Sequence, residues 1–195
     1  MNKNELTQLS IEYLKSYLSV NSYVGCNVDC AYCFLAPMAI VPCAPQQICD
    51  ERRLVEQIIS SKYFVEGKTV LSINNRTDPF VCSNVKESTL KILEALSEKD
   101  IKNTITITTK GYLSKHDVDR IADLGRNIVI LATYNGIPTK IQPISAKKQM
   151  EMMHNVAQHA FCGDQRPVVR STSGRYFKGI LASMVKAKAG AYAPH

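Results

Sequence analysis

The chain has 195 residues, 45% of them hydrophobic, which is enough for one domain with a real core and argues against disorder. No apolar run approaches the ~18 residues of a spanning helix, and nothing at the N-terminus reads as a secretory signal, so a soluble cytoplasmic protein with reduced cysteines is expected. The net charge of +7 invites a nucleic-acid reading, but six of the 24 basic residues lie beyond Asp164, where there is no acid, so the remainder holds 18 basic against 17 acidic groups and is nearly neutral.

Residues 4–18 carry Leu6, Leu9, Tyr13, Leu14 and Tyr17 at three- and four-residue spacing, which predicts an amphipathic helix. Residues 19–24 are β-rich and run through Gly25 into a cysteine loop. Pro37, Pro42 and Pro45 make 34–46 irregular. A helix over 50–62 should bury Leu54, Ile58 and Ile59, and a strand is expected over 68–74. Ser83 or Asn84 is placed to cap a helix bearing Leu90, Ile92, Leu93 and Leu96. The run ITITT, 105–109, is a β-branched strand. Ser114 and Asp117 form a capping-box pattern ahead of Val118, Ile121, Ala122 and Leu124, and Gly125 should end that helix. NIVILAT, 127–133, reads as a strand buried on both faces. Ser145 is placed to cap a helix with Met150, Met153, Val156 and Ala157, and the Met150, Met152, Met153 cluster reads as core. Residues 166–170 form a last strand candidate. Strand then helix thus repeats four times before a fifth strand, the pattern of parallel βα units with right-handed crossovers. In such folds active sites lie at the carboxyl ends of strands. That rule nominates the cysteine loop and residues 74–78, 108–110 and 133–136.

The loop itself, GCNVDCAYCF, holds Cys26, Cys30 and Cys33 at C-x3-C-x2-C spacing. Three thiolates on one short loop can bind three irons of a cubane [4Fe–4S] cluster and leave the fourth open to a ligand. A structural zinc site wants four ligands, usually as two close pairs. Cys43 or Cys49 could supply a fourth ligand, but their spacing fits no common zinc knuckle.

These cysteines resemble the motif of the radical S-adenosylmethionine (SAM) enzymes. The runs SVNSYVGCNVDCAYCF, NNRTDPF and ITTKG resemble the spore photoproduct lyase-like branch, with similarity from about residue 19 to 169. The resemblance implies an α/β fold, a partial (β/α)6 barrel that is incomplete at its C-terminal end unless the tail completes it. It divides the chain into an N-terminal helix over 1–18, a core over 19–170 and a basic tail or terminal helix over 171–195. It implies a [4Fe–4S] cluster on Cys26, Cys30 and Cys33, with SAM chelated to the open iron. Reductive cleavage of SAM would give a 5′-deoxyadenosyl radical that abstracts hydrogen from an unknown substrate. Asp78 would receive the SAM amino group in place of an absent Gly-Gly-Glu run. Lys110 and Thr133 would hold its carboxylate, and backbone groups of Phe34 would face its adenine. A reductant such as flavodoxin or ferredoxin is implied as a partner, and nucleic acid by family analogy alone. Asn75 stands where the branch carries a cysteine hydrogen donor, with Cys82 seven residues on, which argues against photoproduct repair. Cys82 and Tyr134 are further residues to test. Beyond Ser171 the resemblance ends; Tyr176, Phe177, Ile180, Leu181, Met184 and Val185 would form one face of a short basic helix. The rival reading is a non-catalytic or degenerate Fe–S protein serving electron transfer or sensing.

Overall fold

A computed structural model describes residues 8–40, 43–125, 127–133 and 144–160. Its main sheet has five strands in the order β1 (Ile11–Tyr13), β2 (Leu18–Val20), β5 (Leu71–Ile73), β6 (Ile105–Thr109) and β7 (Ile128–Ala132). β1 pairs antiparallel with β2; the other neighbours are parallel. A small ribbon joins β3 (Tyr23–Val24) to β4 (Gln46–Gln47). Four helices follow the parallel strands in turn: α1 (Glu51–Ser60), α2 (Ser83–Glu98), α3 (Lys115–Leu124) and α4 (Ala146–Ala160).

Alternation along the strands decides which face the helices cover. Leu18, Val20, Leu71, Ile73, Ile105, Ile107, Ile128 and Ile130 are buried in one apolar cluster with Leu54, Ile58, Leu93 and Val118 from the helices. The opposite face carries Ser19, Ser72 and Thr106 in one register row. Val129 and Leu131 are only half-buried, so β7 alternates and is not buried on both faces as expected. The reason is that its second face borders a cavity, which Leu131 lines.

The N-terminal helix expected over 1–18 is corrected for the described part. Gln8–Ser10 is a single 3-10 turn, and a hairpin follows from β1 to β2. Lys15 takes φ 58° in the connecting turn, and Leu14 donates its N–H to the Tyr17 carbonyl at 2.9 Å. Apolar spacing here serves a short edge strand, because pairing with β2 satisfies the backbone that a helix would have satisfied internally. The 19–24 strand also breaks in two at Asn21 and Ser22.

Other boundaries move slightly. Asp50 caps α1, accepting the N–H groups of Arg52 and Arg53, while Ile59 is exposed. Cys82, rather than Ser83 or Asn84, is the cap residue of α2 and makes no side-chain capping bond. The Ser114–Asp117 capping box forms in full at α3. Met152 and Met153 enter the core, but Met150 is 40% exposed. The strand at 166–170 and the tail fall outside the described residues.

Candidate functional site

Segments leaving the carboxyl ends of β2, β5, β6 and β7 surround one cavity of about 420 Å³. The first contributes Cys26, Cys30, Cys33 and Phe34. The second contributes Asn75, Thr77 and Asp78, the third Lys110, and the fourth Thr133. Cys26, Cys30, Cys33, Phe34, Asp78, Lys110 and Thr133, from separate segments of the sequence, therefore line one cavity.

The cysteine loop is held from behind by the β5 loop. Asn74, fully buried at φ 51°, accepts the backbone N–H of Ser22 at 2.9 Å and donates to the Thr89 hydroxyl at 2.8 Å. Gly25 donates its N–H to the Arg76 carbonyl at 3.0 Å. Its φ of +97° favours glycine, and a Cβ there would lie 2.6 Å from Cys43 Sγ. The Arg76 guanidinium grips Glu12 on β1 through two bonds of 2.7 and 2.8 Å. The N-terminal strand thus braces the loop that carries the cysteines.

Cys26 and Cys30 are buried, Cys33 is half-buried, and all three are free thiols. Burial pushes the Cys26 thiol up to about 11, against backbone N–H groups of Val28 and Asp78 that favour the thiolate. Burial also raises Cys30, opposed chiefly by the Lys110 ammonium. Desolvated sulfurs with N–H donors aimed at them gain from a bound cation, which ionises a coordinating thiol. Among the described residues no three His, Cys, Asp or Glu side chains gather around a single-ion site. A cubane asks something different of its ligands, since each cysteine binds a separate iron at a corner of a larger body. The donor chemistry, three thiols bordering one cavity, fits that group.

Asp78 is tightly engaged. Its Oδ1 accepts from Phe80 N at 3.0 Å and Thr109 Oγ1 at 2.7 Å, and its Oδ2 from Lys110 N at 2.7 Å. A carboxylate offers about four acceptor sites, so three are already used. Asp78 therefore fixes the β5 loop to the end of β6 and sets the start of the Lys110 side chain. Gly111 permits this approach: a Cβ would lie 2.6 Å from the Phe80 carbonyl oxygen and 2.9 Å from Asp78 Oδ1. The Lys110 ammonium sits 5.5 Å from the centre of the Tyr32 ring and makes no ion pair among the described residues. Thr133 is tied to β6 by its N–H to the Thr109 carbonyl at 2.8 Å. Phe34 is 67% exposed at the edge of the cavity.

The sequence reading places Thr77 in the nominated 74–78 segment but gives it no role of its own. Thr77 is 7% exposed and lines the cavity, yet its hydroxyl has no hydrogen-bond partner among the described residues. A buried hydroxyl left unpaired costs about 1–3 kcal/mol, and such groups call for an explanation. The hydroxyl itself is sealed from solvent, so it does not open on the cavity. Cys82 does not line this cavity, and Tyr134 lies outside the described residues.

No helix among the described residues is long and apolar enough to cross a membrane. No protein-family model matches the sequence, and no curated protein matches it. Among solved structures it is similar to a spore photoproduct lyase double mutant with bound AdoMet and dinucleoside spore photoproduct. The identity is 16% and the TM-score 0.57, over 77% of this chain. The chain spans 46% of the length of that solved chain. The chain has a mixed α/β fold with a mostly parallel sheet, and the likeness to part of that solved chain is one of fold.

Proposed function

We propose that this protein is a radical SAM enzyme, with a partial (β/α)6 barrel built from the four βα units. Cys26, Cys30 and Cys33 would hold a [4Fe–4S] cluster, and SAM would occupy the cavity. The observation that carries this reading is the gathering of three cysteines, Lys110, Thr77 and Thr133 around a single cavity at the carboxyl ends of parallel strands. A bound cluster and SAM would supply one-electron cleavage of a sulfonium C–S bond, and with it a carbon radical for hydrogen abstraction.

The chain's own residues have separable tasks in this reading. The Lys110 ammonium, compact and mobile on its stem, holds the SAM carboxylate, with the Thr133 hydroxyl beside it. Asp78 keeps one acceptor site for the amino group, and its main work is to hold Lys110 in register. Phe34 covers the adenine. Val28 and Asp78 N–H groups directed at Cys26 favour its thiolate, and hydrogen bonds to cluster sulfurs are one of the terms that set a cluster potential. Electrons would come from a flavodoxin- or ferredoxin-type reductant. The solved neighbour's dinucleoside makes a nucleic-acid-derived substrate a reading by analogy, although Asn75 offers no thiol for photoproduct repair.

The experiment is electron paramagnetic resonance of the anaerobically reconstituted, reduced protein. A cluster with an open iron changes its signal when SAM is added. A reduced cluster whose spectrum ignores saturating SAM would contradict the proposal and favour electron transfer or sensing.

A further inference from the structure

The cavity continues well below the cysteines and Lys110. Its lower walls are Ser16 and Tyr17 from the β1–β2 hairpin, Val70 and Ser72 from β5, and Thr106 and Thr108 from β6. Thr106, Thr108 and Lys110 alternate along one strand face, so the floor lies about 13 Å from the Lys110 position at the rise of an extended chain. None of these lower residues carries a charge at neutral pH. The charged lining groups Asp29, Asp78 and Lys110 all belong to the upper end.

Two polar groups line this chamber without partners among the described residues. Ser72 is 8% exposed, and its hydroxyl makes no hydrogen bond among the described residues. The second is the amide nitrogen of Asn75, and a hydrogen-bond chain fixes its orientation. Asn21 Oδ1 accepts the Arg76 N–H at 3.1 Å, so its Nδ2 is the donor to the Leu9 carbonyl at 2.7 Å and to Ser19 Oγ at 2.9 Å. The Ser19 hydroxyl, already accepting, sends its proton to Asn75 Oδ1 at 2.7 Å. The amide oxygen is thereby used, and the two N–H donors of Asn75 remain for the cavity.

We infer that this lower chamber is the substrate subsite, and that it takes an uncharged group bearing a carbonyl, read by the Asn75 amide and the Ser72 hydroxyl. The inference rests on the proposed function only in assigning SAM to the upper end. A carboxylate or phosphate is disfavoured there, because burying an anion without a counter-charge costs far more than burying a paired neutral carbonyl. Asn75 is thus a specificity-determining residue.

The test uses the reconstituted holoprotein and a matched probe pair, benzamide and benzoate, followed by ligand-observed saturation-transfer NMR with and without saturating SAM. Benzamide should bind at least about fivefold more tightly than benzoate. Asn75→Asp keeps the acceptor for Ser19 and replaces the amide donors by a carboxylate; it should weaken benzamide at least about fivefold while SAM affinity stays within about twofold. Ser72→Ala breaks no side-chain hydrogen bond among the described residues and should weaken benzamide about threefold. Equal binding of the two probes, unchanged benzamide affinity in both variants, or no saturable benzamide binding would overturn the inference. Failure of the wild type to bind SAM would instead sink the proposed function, and the probe pair without SAM would still decide this one.

Discussion

At the scale of single residues, Lys110 and Thr77 make separable predictions. Lys110→Ala should weaken SAM binding by about tenfold or more, the loss of one charge-assisted contact, while iron and sulfide content stay at the wild-type level. Calorimetric titration of the reconstituted variant checks this; an unchanged affinity would remove Lys110 from the site. Thr77→Val should behave differently, because its hydroxyl is buried without a partner among the described residues. The variant should melt at or above the wild-type temperature in a thermal unfolding scan. A variant that melts lower would show that the hydroxyl is paired in the folded protein. Sequence pattern could nominate Lys110 from its place after a strand. It placed Thr77 in a nominated segment but could not show its hydroxyl unpaired, because that is defined only by what surrounds it. Nor could it show that Asp78, flagged by its Asp-Pro setting, has three acceptor positions committed to its own chain.

At the scale of elements, local chemistry predicts best where it is self-contained. ITITT forms β6 with the expected limits, and the box at Ser114 and Asp117 starts α3. Burial would raise the Asp117 carboxyl, but bonds from Ser114 and Lys86 outweigh it and hold the group below its ordinary 3.8. A folded-state value below the unfolded one stabilises the protein above the unfolded pKa, and this stability is lost as pH falls through the folded value. The urea midpoint should therefore drop as pH is lowered below about 4, and Asp117→Asn should flatten that part of the profile. Parallel acid profiles for wild type and variant would contradict the assignment. Ser114→Ala should cost about 1 kcal/mol of stability, measured by urea unfolding at neutral pH. Patterns fail where pairing is remote. The apolar spacing of the N-terminal segment suits a helix, but Glu12 meets Arg76 and Ile11 pairs with Val20, contacts that local periodicity does not contain. Ile59 fails for a related reason: α1 is apolar over a wider arc than the sheet can cover.

At the scale of the molecule, one sheet face is sealed by helices and the other is lined with hydroxyls and opens on the cavity. The strand-helix repeat made the parallel order legible, and the cysteine spacing made the site legible. What remained hidden was the depth of the cavity, because hydroxyl residues on alternate positions look like ordinary strand formers until register aligns Ser19, Ser72 and Thr106. The chain covers 46% of the solved lyase it resembles in fold, so its reaction must be read from its own residues. The most direct measurement is anaerobic: reconstituted protein, SAM and a strong reductant, with 5′-deoxyadenosine as the readout. The account predicts product from the wild type and none from the Cys26→Ala, Cys30→Ala, Cys33→Ala variant. A wild-type protein with a full cluster that forms no 5′-deoxyadenosine would contradict it.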